Sequence, residues 1–522
     1  MVKNAEISVI DLFAGPGGLG EGFESFTDTN GHKVFRICLS IEMNDAAHRT
    51  LLTRSFFRQF SPENVPDDYY KYLRSELSRD QLFENYPEEF EKANDVAWKA
   101  ELGKTPHKMV SKRINSALGK NKIWVLLGGP PCQAYSLVGR SRMINTDKEK
   151  YETDPRHYLY KEYVQIIADH RPPIFIMENV KGLLSSKLND KNAFELILTD
   201  LGDPVTAVNT YGRKRSKADK KVLYKIYPLT RKSGLFANEP RDYLIEAENL
   251  GLPQKRHRVF LLGIRSDLNI TPDEIESLTE TQTTVNDVIC DLPQIRSGLS
   301  KNTDNIVNWI AAIQSIKEQS WFGKKLPEKS RSIWKEMRSV IKNISKLELE
   351  KGEEYFKSMT CEAKKFSDWF TDKRLNGVIN HTSRSHIIED LYRYLFAACF
   401  AKIIGRSPRL RDFPSELLPA HKSAIKGVKG ELFADRFHVQ LHNKPSSTIV
   451  SHISKDGHYF IHPDPNQCRS LTVREAARLQ TFPDNYLFEG GRTNQYQQVG
   501  NAVPPLLAKQ IAAVVYKLIE QL

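Results

Sequence analysis

The chain has 522 residues, a formal net charge of +12, and 40% hydrophobic against 27% charged residues. That length is too great for one compact core at roughly 100–200 residues per domain, so two or three lobes are expected. The excess positive charge suits a polyanionic partner. Six scattered cysteines (Cys38, Cys132, Cys290, Cys361, Cys399 and Cys468) with no CxxC pair argue against a zinc site and a disulfide framework, and no metal is expected. "MVKNAEISVIDLFAGPGG" enters a strand pattern at once rather than a signal peptide, and no uninterrupted apolar stretch nears the roughly 18 residues of a membrane helix. An intracellular, cytoplasmic protein with no membrane partner is expected.

In chain order, "ISVIDLF" reads as a short buried strand that opens into "AGPGGLGEGF". Gly15, Gly17 and Gly20 fit G-x-G-x-x-G, a tight turn over which a ligand can approach the backbone. Glu42 ends the next strand, "FRICLSIEM", where a carboxylate can accept from ribose hydroxyls. Residues 49 to about 120 interrupt the pattern. The part from 61 to 100 carries ten Asp/Glu against five Lys/Arg and reads as a solvated helical insertion. "IWVLL" then leads into "GGPPCQAYS", and "PPIFIM" into "ENVKGLL". Strands that end in such residues, with helical patterns between them, predict an α/β domain around a mostly parallel sheet. Residues 211–232, with nine Lys/Arg against one Asp, read as a solvated loop or a phosphate contact.

The α/β punctuation stops from about 267 to 467, a stretch with four of the six tryptophans, which predicts a second domain. In "RSLTVREAARLQTFPD", Thr472 and Glu475 predict a capping box for a helix that ends before Pro483. "QVGNAVPPLLAKQIAAVVYKLI" closes with a turn and an amphipathic helix.

Three features carry chemistry. Cys132 follows two prolines that fix the backbone, which suits attack on a held electrophile, although a buried thiol in a proline turn has the same pattern. Glu178 stands directly after an apolar strand, where a charge is costly unless paired or titrated upward; a helix N-terminal glutamate is the plain alternative. Arg256 and Arg258, two apart in "QKRHRVF", project from one face if that segment begins a strand, to hold an oxygen ligand or make an edge salt bridge.

Taken in order, "DLFAGPGGLG", "PPCQAYS", "ENV", "QKRHRV", "REAARLQTFPD" and "GNAVPP" resemble the motif series of the DNA (cytosine-5)-methyltransferases, over roughly residues 7–265 and 440–520. The resemblance implies a Rossmann-like, S-adenosylmethionine-dependent α/β domain (1–266, with insertions at about 49–120 and 211–240), a smaller target recognition domain (267–467), and a return to the catalytic domain (468–522). It implies Cys132 as nucleophile on cytosine C6, Glu178 at the ring N3 and amino group, and Arg258, supported by Arg256, at the ring carbonyl. Phe13, Gly15, Gly17, Glu42, Pro131 and Asn501 would line the cofactor pocket. Gln133, Ser136, Arg140 and Thr448 would contact double-stranded DNA, with the segment after Cys132 closing over the flipped base. The family's adenine-binding aspartate has no obvious counterpart; Asn115 is its candidate substitute. A monomer on DNA, with a cognate restriction or defence system, is expected. Alternatives are a cytosine-5 RNA (tRNA) methyltransferase, a nicotinamide-dependent oxidoreductase, and an inactive DNA-binding protein.

Overall fold

The computed structural model describes residues 6–131, 156–188, 191–212, 222–230, 239–301, 303–326, 330–358, 361–419, 428–429 and 434–522. It divides into two compact units, one of Met1–Val65, Phe83–Glu280 and Ala502–Leu522, the other of Pro66–Leu82 and Thr281–Asn501.

The first unit is built on an eight-stranded sheet. Its strands are β1 (Ile7–Leu12), β2 (Phe35–Glu42), β3 (Ala97–Lys99), β4 (Trp124–Gly128), β5 (Ile174–Val180), β6 (Tyr224–Tyr227), β7 (Leu244–Glu246) and β8 (His257–Arg265). They lie in the order β3-β2-β1-β4-β5-β8-β6, with β7 also paired to β8. β3, β2, β1, β4 and β5 are mutually parallel, whereas β8 runs antiparallel to its neighbours. Apolar residues alternate between two cores because successive side chains point to opposite faces. Ile10, Leu126 and Phe175 pack on one side with Ile114 and Tyr163 of the helices α3 (His107–Leu118) and α4 (Arg156–His170). Val9, Val125 and Ile174 pack on the other with Phe23 of α1 (Gly18–Glu24) and Leu507 of the C-terminal helix Pro505–Ile519. Each fully buried Leu, Ile, Val or Phe stabilises such a core by about 1.5–3 kcal/mol. The strand order reverses between β1 and β4, and in such sheets ligands bind beyond the strands' carboxyl ends at that point.

Three expectations are corrected. Residues 49–120 do not simply interrupt the α/β pattern, and 61–100 are not merely a solvated insertion. The helix α2 (Asp45–Phe57) runs into the longer stretch, β3 adds a parallel edge strand, and α3 is the crossover into β4. An aromatic cluster lies inside the acidic run, with the Phe83 ring 5.2 Å from Phe56 and stacked on Phe90 at 4.4 Å. Its spacing is masked by the charges between. Asn115 is exposed on α3, and that crossover helix runs back toward the amino ends of the strands, opposite the edge where an adenine would sit. Residues 211–232 hold an edge strand, β6, although most of their basic charges lie outside the described residues.

The unit boundaries also differ from 267 and 467. Residues up to Glu280 stay with the first unit, where Gln510 donates to the Glu276 carbonyl at 2.6 Å and Leu278 to the Leu250 carbonyl at 3.0 Å. Residues 468–501 pack with the second. There the helix Ile388–Ile404 and the helix Ser330–Asn343 share a core with Trp309, Trp321 and Trp334. The segment Arg492–Ile519 is long and apolar enough to cross a membrane by composition. However, 78% of its apolar window is buried, and Pro504 and Pro505 separate two helices within it.

Candidate active site

β1 is buried along its whole length and ends in a turn whose backbone is unusual. Phe13 has φ 56°, which is strained for a bulky side chain, and Gly15 and Gly17 follow at φ 58° and 94°. Gly17 is the residue before α1, so its left-handed conformation starts that helix close under the strand end. Glu42 ties the turn to β2. It accepts from the Gly15 amide at 2.8 Å and the Asn44 amide at 2.7 Å, one bond on each carboxylate oxygen. A carboxylate has about four acceptor sites, so each oxygen keeps one for a hydroxyl. Asn44 in turn caps α2, accepting from the Ala47 amide at 3.0 Å.

Below this turn lies a residue that sequence reasoning passed over. Asp11 is 1% exposed, and neither of its oxygens makes a well-formed hydrogen bond, although the Gly20 amide is near enough to lower its pKa somewhat. Burial drives its pKa up to about 7; Arg58 opposes the rise and Glu42 adds to it. The signal was present in "ISVIDLF", where one acid interrupts a wholly apolar strand. Nearby, Glu21 of α1 is equally buried yet fully paired. Burial pushes its pKa upward, but Arg54 and Arg58 on and beside α2 outweigh that and hold it at about 2.

At the end of β4, Gly128 is covered by the ring of Tyr163, which would clash with any side chain there. The Tyr163 hydroxyl donates to the Ile176 carbonyl at 3.0 Å, locking α4 over β4 and β5. Pro131, half-buried, is the last described residue before Cys132. Cys132, Gln133, Ser136 and Arg140 lie outside the described residues.

Glu178 leans over this segment. One of its carboxylate oxygens is 3.3 Å from where a Gly129 side chain would begin. The antiparallel register pairs Val180 with Arg258 and Glu178 with Phe260, so Glu178 and Arg258 are diagonal neighbours on one face. Their Nε–Oε1 separation is 2.9 Å, with both side chains 15% exposed. Arg258 also donates through Nη1 to the His257 carbonyl at 2.9 Å. Two of its five donors are thereby occupied, and the rest point to no described partner.

Arg256 differs from the sequence expectation. β8 starts at His257, and Arg256 lies in a break where its amide donates to the Gln254 carbonyl at 2.9 Å. The two guanidiniums therefore do not share one strand face. Arg256 is 1% exposed; burial and then Arg258 push its pKa well down, against the pull of Glu178. Between them, His257 is clamped on the β7–β8 hairpin, its Nε2 2.8 Å from Glu248 and its Nδ1 3.7 Å from Glu246. These three groups have metal-ligand chemistry, but 2.8 Å is hydrogen-bond contact, shorter than the about 3.3 Å between two ligand atoms on one tetrahedral zinc.

The remaining predicted residues come later in the chain. Asn501 is exposed at the end of the helix Arg492–Asn501, one residue before Ala502, which packs beside Gly18. Thr448, half-buried in the second unit, follows Ser447, whose amide and hydroxyl are both held by Gln440 at 2.9 and 3.1 Å. The predicted capping box is present, Thr472 and Glu475 exchanging bonds of 2.7 and 3.2 Å.

The chain matches the family model of the C-5 cytosine-specific DNA methylases over residues 88–204 and 220–517. It is 33% identical to the type II methyltransferase M.Bpa9945I of Bacillus paralicheniformis, across 97% of this chain and 98% of that relative. It is 25% identical to the DNA (cytosine-5-)-methyltransferase M.ApeKI of Aeropyrum pernix, across 76% and 81%. A solved structure described as an E. coli prophage DNA modification methyltransferase shares the fold at TM-score 0.50 and 17% identity, covering 99% of this chain and 100% of that one. The curated relatives are described as DNA enzymes or type II methyltransferases, so the RNA alternative is not favoured. The chain belongs to the C-5 cytosine-specific DNA methylase family and is a DNA (cytosine-5-)-methyltransferase.

Proposed function

We propose that this enzyme methylates C5 of a cytosine flipped out of one specific duplex sequence, through a covalent adduct with Cys132. The observation that carries the reading is the Glu178–Arg258 pair beside Gly129, three residues before Cys132. Cytosine C5 is a poor nucleophile until C6 is attacked. The Cys132 thiolate forms a bond to C6, and the C5–C6 electron pair moves to C5. Glu178 holds a proton at ring N3 and accepts from the exocyclic amino group, so charge is neutralised as sulfur attacks. Arg258 holds the ring carbonyl with donors not used on Glu178, and Arg256 supports it as a second positive charge. Once that electron pair has formed the bond from C5 to the methyl group, loss of the C5 proton re-forms the C5–C6 double bond as Cys132 leaves as thiolate, which restores the ring. Flipping the base costs a few kcal/mol, repaid by contacts in the pocket.

The cofactor is S-adenosylmethionine, which supplies the electrophilic methyl group. The strand-end residues fit it. Gly15 and Gly17 open the backbone, Glu42 keeps acceptor sites for ribose hydroxyls, and the orphaned carboxyl of Asp11 lies in the same cradle. Phe13, Pro131 and Asn501 complete the pocket. Gln133, Ser136, Arg140 and Thr448 contact DNA, and the second unit reads base edges and grips phosphates. The enzyme acts as a monomer in the cytoplasm, and the type II relatives support a cognate restriction or defence system. Methylation-sensitive sequencing of DNA from cells expressing the protein tests this. One short sequence should carry 5-methylcytosine, absent with Cys132→Ala; no methylcytosine with the unaltered chain contradicts the reading.

A further inference from the structure

The second unit contains a cavity of about 380 Å³ unrelated to the glycine turn or to Glu178. Arg384, Lys455 and Arg492 line it, together with His386, His458 and two carboxylates, Asp390 and Asp456. The carboxylates are balanced from outside the lining. Asp390 is bound by Arg393 at 2.7 Å, and Asp456 lies 3.8 Å from Arg436. Among the described residues, Arg384, Lys455 and Arg492 have no ion pair of this kind. Arg384 spends its terminal nitrogens on the neutral carbonyls of Ile453, Ser454 and Lys455, which close the short helix Ser451–Ser454, and stacks over the Tyr496 ring at 4.1 Å. Arg492 donates Nη1 to the Ser383 carbonyl at 3.0 Å. The Nε atoms of both arginines are buried with no hydrogen-bond partner, and Lys455 is exposed with no described ion pair.

His386 is buried in the same lining. Burial first, then His458, Arg384 and Arg492, push its pKa down to about 3. Guanidinium and ammonium groups arranged around a cavity, with their charge uncancelled, match a compact oxyanion, and Arg pairs with phosphate oxygens better than with most others. We propose that this cavity is a phosphate-binding site of the second unit, filled either by a backbone phosphate of bound DNA or by free phosphate. The DNA source rests on the methyltransferase reading; the anion chemistry does not.

The test is acetylation of Lys455 in the full-length protein with an amine-reactive reagent, read by mass spectrometry against Lys104 of the first unit. The reaction is run alone, with inorganic phosphate, with chloride at equal ionic strength, and with a duplex that the same preparation methylates. Protection of Lys455 by the duplex identifies the backbone as the source. In that case Lys455→Gln should also make log affinity fall less steeply with log salt, by about 0.9. Protection by inorganic phosphate alone, with chloride inert, supports the site with free phosphate as its occupant. Labelling unchanged in every arm, while methyl transfer proceeds, overturns the site and leaves the catalytic reading intact. A preparation that neither binds nor methylates DNA counts against the catalytic reading, and the inorganic phosphate arm still decides the cavity.

Discussion

The strand-end cluster of the first unit and the 469–484 segment of the second use the same residue types in opposite ways. Around the second unit's helix Val473–Leu479, Arg469 grips Glu475 with two bonds of 2.7 Å. Arg478 grips Asp484 at 2.8 and 2.7 Å and reaches Asp291 at 2.7 Å. Arg474 is wholly buried on the carbonyls of Ile379, Pro483 and Tyr486. Charge there is closed off. In the first unit, among the described residues, Asp11 makes no well-formed hydrogen bond, Glu42 is half used, and Arg258 has donors beyond those on Glu178 and the His257 carbonyl. The lesson is that a charged motif does not announce its role; the satisfaction of its hydrogen-bonding capacity does.

Four substitutions break or sharpen that contrast. Glu178→Gln keeps the shape but cannot exchange a proton with the ring nitrogen. Turnover should fall about 10²–10⁴-fold, with DNA and cofactor affinity nearly unchanged. Single-turnover kinetics beside equilibrium binding separate the two. In the closed region, Arg478→Ala strands Asp484 and Asp291 without their cation and should cost about 3–5 kcal/mol in chemical denaturation. If that variant instead keeps full stability and loses only turnover, the network is catalytic rather than structural.

Asp11 gives a pH signature. Its folded pKa of about 7 lies above the ordinary 3.8, so the folded state holds the proton more tightly. The stabilisation is present below pH 3.8 and is lost as pH rises through 7. Asp11→Asn should therefore gain stability relative to the unaltered chain between those limits, by about 2–4 kcal/mol at pH 8. Denaturation midpoints at pH 5 and pH 8 check the sign, and an equal difference at both pH values would remove Asp11 as an orphan carboxyl. Thr472→Ala removes a helix cap and should cost about 1 kcal/mol without altering the methylated sequence.

The α/β core was legible because its strands are short apolar runs ended by glycine, proline or acid, and β1, β2, β4, β5 and β8 lie where "ISVIDLF", "FRICLSIEM", "IWVLL", "PPIFIM" and "RVFLLGI" place them. The capping box was legible because it is local. What sequence hid depends on the third dimension. The acids between Phe56 and Phe90 obscure an aromatic cluster, and the break at Arg256 cannot be read from two arginines two residues apart. The orphan state of Asp11 and the uncancelled charge of Lys455, Arg384 and Arg492 are visible only once every neighbour is known. Asn115 failed for a topological reason, since a crossover helix carries its last turn away from the ligand edge.

The central claim is that the open charges beside Gly129 serve a covalent attack by Cys132. It is tested most directly with a duplex carrying 5-fluorocytosine at the methylated position. Fluorine cannot leave C5 as a cation, so methyl transfer should proceed and release of the thiol should stall. The account predicts a denaturation-resistant adduct that requires S-adenosylmethionine, maps to Cys132, is absent in Cys132→Ala, and forms far more slowly in Glu178→Gln. A link at another cysteine, or no link with a duplex whose cytosine counterpart is methylated, contradicts it.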